Sequence, residues 1–250
     1  WDAVLHAENN GWQGIVTERG SVAINWVAGK AAYPFTTSRV NGNGRTGIIV
    51  KHDKSYVYDD LVPDATGHLT AMFLEVSGNG STGTQDSEKS GVYAEGKVEL
   101  SGTKANDNAG YGIYAWKDVG IHLQENDFTG NGKSGIYSAY GGIYAWDGVI
   151  QAENNGQYGI VAEKGSVAFN WVSQTGDSAY AGLFSVIRSN GKAGIRARNY
   201  ESDIGDDAES GNVTGSYGKI LDNGGAGIHA GNKITLFHGE ICNNRGGNFS

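Results

Sequence analysis

Two stretches of the chain concentrate the side chains that could do chemistry. Asp59, Asp60 and Asp64 lie in one; Asp203, Asp206, Asp207 and Glu209 lie in the other. Carboxylates grouped this way can hold Ca²⁺ through oxygen ligands, with Asp206, Asp207 and Glu209 as the candidate set. Two of them at a fixed separation can instead serve as acid and base on a glycosidic bond. A third reading is a solvated acidic loop. The aromatic candidates are Trp116 and Trp146, which share the context Ile-Tyr-Ala-Trp; Trp1 aligns with Trp146, and Trp26 with Trp171. A row of exposed rings can stack on sugars, and a row of stacked rings can equally shield the turns of a repeat. Cys242 is the single cysteine. It excludes an intrachain disulfide and reads as a small buried residue rather than a nucleophile.

These groups need a scaffold, and a repeat supplies it. Asn, then usually Gly or Ala, two variable residues, Gly and usually Ile first appears at Asn10-Gly-Trp-Gln-Gly14-Ile15. The Asn recurs at Asn43, Asn79, Asn108, Asn131, Asn155, Asn190 and Asn223, with a degenerate ninth copy starting at Asn243. The third copy reads Asn79-Gly-Ser-Thr-Gly83-Thr84. Asn108, Asn131 and Asn155 are 23 and 24 residues apart, enough for three short strands and three turns. Longer steps elsewhere carry loops. Equivalent residues of stacked coils lie about 4.8 Å apart. The asparagines then form a structural ladder, each amide bonding to the next as both donor and acceptor. Asn itself tolerates the left-handed turn, Gly lets the chain swing sharply into the strand, and Ile15, Ile48, Ile113, Ile136, Ile160, Ile195 and Ile228 fill the interior. The resulting fold class is all-β, a right-handed parallel β-helix solenoid of about nine coils.

A longer period overlies the short one. Trp1 to Gly11 matches Trp146 to Gly156 at an offset of 145, so a five-coil block is duplicated. Residues 1–250 read as one domain with internal blocks 1–145 and 146–250. The chain begins inside a repeat, as a processed chain or a piece of a longer one would. Forty-one glycines with only 2 prolines, and no Gly-X-Y period, fit many tight turns and exclude collagen. A net charge of −8 without basic clusters argues against nucleic acid. No apolar run is long enough for a membrane span.

The nine motifs resemble the repeats of the pectin-lyase-like superfamily of parallel β-helices. That superfamily includes polysaccharide lyases, glycosidases, epimerases, tailspikes, adhesins and structural proteins, so the resemblance implies an architecture and leaves the activity open. Gly205-Asp206-Asp207 is similar to a fragment of the polygalacturonase motif set, but the Asn-Thr-Asp, Gly-His-Gly and Arg-Ile-Lys partners are absent; His229 sits in a repeat strand. Arg196 and Arg198 border the second acidic loop, the placement a lyase would need. The expectation is an extracellular or cell-surface β-helix with a structural, filament-forming or adhesive role. It uses no cofactor, unless Ca²⁺ occupies the acidic loops, and associates with itself end to end. The alternative is a carbohydrate-active enzyme, a polysaccharide lyase or glycoside hydrolase, or a glycan-binding spike, acting on polysaccharide through those loops.

Overall fold

The computed structural model describes residues 4–24, 37–51, 67–122, 125–145, 148–169, 184–198 and 211–250. Their strands form stacked parallel sheets, and each coil visits the first sheet, the second and then the third. The first sheet runs in the order Ile15–Thr17, Ile48–Val50, Val92–Ala94, Ile113–Ala115, Ile136–Ser138, Ile160–Ala162, Ile195–Ala197 and Ile228–Ala230. The second begins with Val22–Ile24 and Leu69–Met72 and ends with Val213–Ser216 and Ile234–Phe237. The third consists of Glu125–Asp127, Val149–Glu153, Ser185–Arg188, Gly218–Leu221 and Glu240–Cys242. Ser38–Arg39 pairs with Leu74–Glu75, and the bridges Glu75 to Lys104 to Asp127 extend that third face toward the N-terminal coils.

Strand alternation sets what each sheet buries. The first-sheet register joins Ile15, Ile48, Val92, Ile113, Ile136, Ile160, Ile195 and Ile228 into one column. All but Ile15 are fully buried. Leu69, Val98, Val119, Ile143, Val167 and Val213 face them from the second sheet. Each such side chain contributes about 2 kcal/mol of transfer free energy. In the third motif the interior slot belongs to Val92, not Thr84. The chain leaves the motif after Gly83, makes the short helix Asp86–Lys89, and re-enters at Gly91. A threonine would bring a hydroxyl into an apolar column; the valine eight residues later does not.

At the corner between the third and first sheets stands the asparagine ladder. Asn131 Oδ1 accepts from the backbone N and the Nδ2 of Asn108 at 3.1 and 3.0 Å. Its Nδ2 donates to Asn155 Oδ1 at 3.1 Å and to the carbonyl of Ala105 at 2.9 Å. The same pattern repeats from Asn43 to Asn223, with Asn10 donating into its start. Asn223 then bonds to Asn244 at 2.8 Å, so the degenerate ninth copy takes part through Asn244 and not Asn243. Nor is the ladder asparagine the left-handed residue of the turn. That conformation belongs to the residue before it: Asn9, Gly42, Gly78, Asp107, Gly130, Asn154, Ser189, Asp222 and Asn243 have φ from +55° to +72°. The Gly that precedes each strand of the first sheet is needed for close approach. A Cβ on Gly112 would sit 2.6 Å from the Gly135 carbonyl oxygen and 2.9 Å from Asn131 Nδ2.

Candidate functional site

The middle residue of every first-sheet strand points outward, and three of them in succession are tyrosines. The register aligns Tyr93, Tyr114 and Tyr137 on successive coils. Tyr93 and Tyr114 stack at 5.2 Å between centroids with 15° between planes, and Tyr114 and Tyr137 at 5.0 Å with 16°. Tyr111, on the turn that leads into the same sheet, closes the group with an edge contact to Tyr114 at 5.2 Å and a tilted one to Tyr137 at 5.1 Å. The spacing of parallel strands is close to the spacing of stacked rings, so identical aromatics in register stack without adjustment. Burial pushes the hydroxyl of Tyr114 up to about 12. It raises Tyr93, Tyr111 and Tyr137 as well. These rings cover one another's faces and form a rigid wall rather than a set of free platforms.

Free faces stand at its margins. Trp116 follows the strand Ile113–Ala115 and donates from Nε1 to Tyr93 Oη at 3.0 Å; it keeps 39% exposure. Tyr140, one coil on, packs against it at 6.2 Å and is 60% exposed, with Lys164 Nζ 4.3 Å from its centroid. Trp12, on the N-terminal coil, is 64% exposed with the Arg45 guanidinium 4.1 Å from its ring. Toward the C-terminal coils the wall gives way. Ala193 and Ala226 replace tyrosine on the turn, and a cavity of about 290 Å³ opens among Tyr158, Lys192, Arg196 and His229. Arg196 lies over Tyr158, donates to its hydroxyl at 3.0 Å, and faces Glu163 at 3.6 Å. Cations beside aromatic faces, each about 0.5–2 kcal/mol when partly desolvated, hold the side chains of this surface in place.

Of the residues singled out by sequence, Trp116, Arg196 and His229 belong to this surface. Asp59, Asp60, Asp64, Asp203, Asp206, Asp207, Glu209, Trp1, Trp26, Trp146 and Trp171 lie outside the described residues. The shared context of Trp116 and Trp146 is not a shared register: Ile113–Ala115 is in the first sheet and Ile143–Ala145 in the second. The tyrosine wall was missed, although Gly91-Val-Tyr, Gly112-Ile-Tyr and Gly135-Ile-Tyr announce it once the strand after the glycine is taken as outward at its second residue. Among the described residues, no group of three His, Cys, Asp or Glu is placed to hold a metal. Cys242 is partly buried beside Glu240, and desolvation pushes its thiol up, away from a reactive thiolate.

The stacked parallel sheets agree with the comparison to known families, in which the model described as right handed beta helix region matches residues 23–184. The chain belongs to that family. No curated protein and no solved structure matches it. Among the described residues of this right-handed β-helix, stacked aromatic rings line the outer face of the first sheet. No described helix is long and apolar enough to cross a membrane.

Proposed function

We propose that this β-helix is a structural and adhesive rod of the extracellular space or cell surface, holding polysaccharide against the outer face of its first sheet. The observation that carries the reading is the tyrosine wall bordered by the exposed rings of Trp116 and Tyr140. A sugar ring has an apolar C–H face and a rim of hydroxyls. Exposed aromatic faces complement the first, and tyrosine hydroxyls with the ammonium of Lys164 complement the second. The ladder behind the sheet fixes the platform before any ligand arrives, which reduces the entropy lost on binding. A large exposed aromatic patch on a rigid element is the usual mark of an interaction surface.

The test is affinity electrophoresis of the protein through gels containing neutral or acidic polysaccharides, with the same samples assayed for new reducing ends and unsaturated products. Retardation by at least one polysaccharide, without product and reduced by Trp116→Ala and Tyr140→Ala, is the expected result. Migration unchanged in every gel refutes the reading. Product formation moves the assignment to a carbohydrate-active enzyme.

A further inference from the structure

The tyrosine wall ends inside the stack, and the surface that follows it is cationic. On the first sheet the outward column runs Tyr93, Tyr114, Tyr137, Val161, Arg196 and His229. On the turn that leads into the sheet, Tyr158 is succeeded by Ala193 and Ala226. The small side chains of that turn leave the cavity of about 290 Å³ beside Lys192 and Arg196. These two residues belong to the coil that opens at Asn190. It is flanked on one side by the coil of Asn155 and on the other by that of Asn223.

Both cations reach back one coil to the same ring. Lys192 Nζ and Arg196 Cζ each lie 5.3 Å from the Tyr158 centroid. Arg196 donates from Nη1 to the Tyr158 hydroxyl at 3.0 Å, which fixes the direction of the guanidinium. The carboxylate nearest to it, Glu163 at 3.6 Å, is shared with Arg198 at 3.0 Å. Lys192 has no carboxylate partner among the described residues. Three cations therefore gather around one carboxylate, on a chain whose net charge is −8. Like charges held against one ring repel each other, and a partly enclosed, low-dielectric setting strengthens the repulsion. An anion placed between them turns the same geometry into attraction.

We infer that this cavity is an anion subsite, holding a carboxylate or sulfate ester carried by a sugar residue. The inference rests on the reading of the first-sheet face as a polysaccharide-holding surface and adds the class of sugar, an acidic one. The volume is at the small end of ligand sites and suits a single sugar residue with its charged group. Lys192 supplies a mobile point charge, and Arg196 a planar one already oriented by Tyr158. The Tyr158 hydroxyl accepts from Arg196 and keeps its own hydrogen to donate to the ligand. Aromatic rings alone do not separate a neutral chain from an acidic one; the Lys192–Arg196 pair does. No bond is made or broken, and binding weakens as salt screens the charges.

The experiment titrates the intact, isotope-labelled protein with methyl glucuronide, glucose 6-sulfate and methyl glucoside, following the resonances of Tyr158, Ala193 and Arg196. Saturating shifts with at least one charged sugar, lost at high salt, and none with methyl glucoside are the expected result. Lys192→Gln alters an exposed side chain and should weaken the charged sugar by about fivefold. In polysaccharide gels, an acidic polymer should retard the protein more than a neutral one. Lys192→Gln should remove that excess, whereas Trp116→Ala reduces retardation in both. No saturating shift with either charged sugar, equal shifts with the neutral one, or affinity unchanged by Lys192→Gln overturns the inference whatever the gels show. Saturating shifts without retardation in any gel uphold the subsite and refute the polysaccharide-holding reading, so the two failures are told apart.

Discussion

Replacing Asn131 by leucine puts the ladder to its sharpest test. The side chain is nearly isosteric and apolar, so packing changes little while every amide bond of one rung is removed. The backbone N–H of Asn108 loses its acceptor, and Asn108 Nδ2 loses one of its two. The Ala105 carbonyl loses its donor from Asn131 Nδ2. Asn155 Oδ1 keeps the Asn131 backbone N–H and suffers least. A buried polar group left unpaired costs about 1–3 kcal/mol, so the two groups left without a partner cost at least about 2 kcal/mol together. Against a total stability of about 5–15 kcal/mol that is a large fraction. Asn10→Leu is the internal control. Asn10 is exposed, and its side chain makes one bond, to Asn43; its loss is expected to cost less than about 1 kcal/mol. Urea unfolding followed by circular dichroism measures both, with the slopes compared because solenoids can unfold in segments. If Asn131→Leu lies within about 0.5 kcal/mol of the parent, surface-like behaviour, the ladder is not a stabilising element.

Gly112→Ala is expected to destabilise by about 1–3 kcal/mol by overpacking, since its Cβ would press on Gly135 and Asn131, whereas Gly11→Ala should be near neutral in the same unfolding assay. Ser189→Gly should stabilise by about 0.5–1 kcal/mol, because φ there is +55° and glycine fills the equivalent place at Gly42, Gly78 and Gly130; a loss of stability would contradict the left-handed assignment. The tyrosine wall gives a pH signature. Its hydroxyls titrate higher folded than unfolded, so their contribution is constant below the unfolded value of 10.0 and declines as pH rises from there toward about 12. Tyrosinate absorbance and circular dichroism recorded together should show late, cooperative ionisation, and a simple titration centred at the free value with the fold intact would refute the packing.

The architecture was legible because a coil repeats its physics. Asn and Gly recur where hydrogen bonding and close approach allow nothing else, and Ile where an apolar column must be filled. Details within a coil were less legible. The left-handed residue was assigned to the ladder asparagine on propensity alone. The pattern of Gly, Asn, Asp or Ser before it was visible, but its meaning depends on which way the amide points. The ninth copy reads from Asn243 in sequence while Asn244 holds the rung, because two adjacent asparagines carry no register of their own. At the candidate site, Trp116 was found by residue type and the tyrosines were overlooked. Their significance comes from alignment between coils, and alignment was obscured by the interrupted third copy.

That interrupted copy has a wider consequence. Twelve positions separate Asn79 from Gly91, where four separate Asn108 from Gly112, yet the columns on both sides continue in step. The extra segment is fastened to its surroundings by Arg45 with Glu88, Lys133 with Asp86, and Thr46 with the Ser87 carbonyl. This corner acts as a socket: the asparagine and the glycine are its two fixed contacts, and the chain between them is free to lengthen. Because neighbouring coils hold both contacts, an insertion here alters the outline of the rod without renegotiating its interior. Descendants of such a sequence can diversify their surface one coil at a time while the same spine is handed down unchanged.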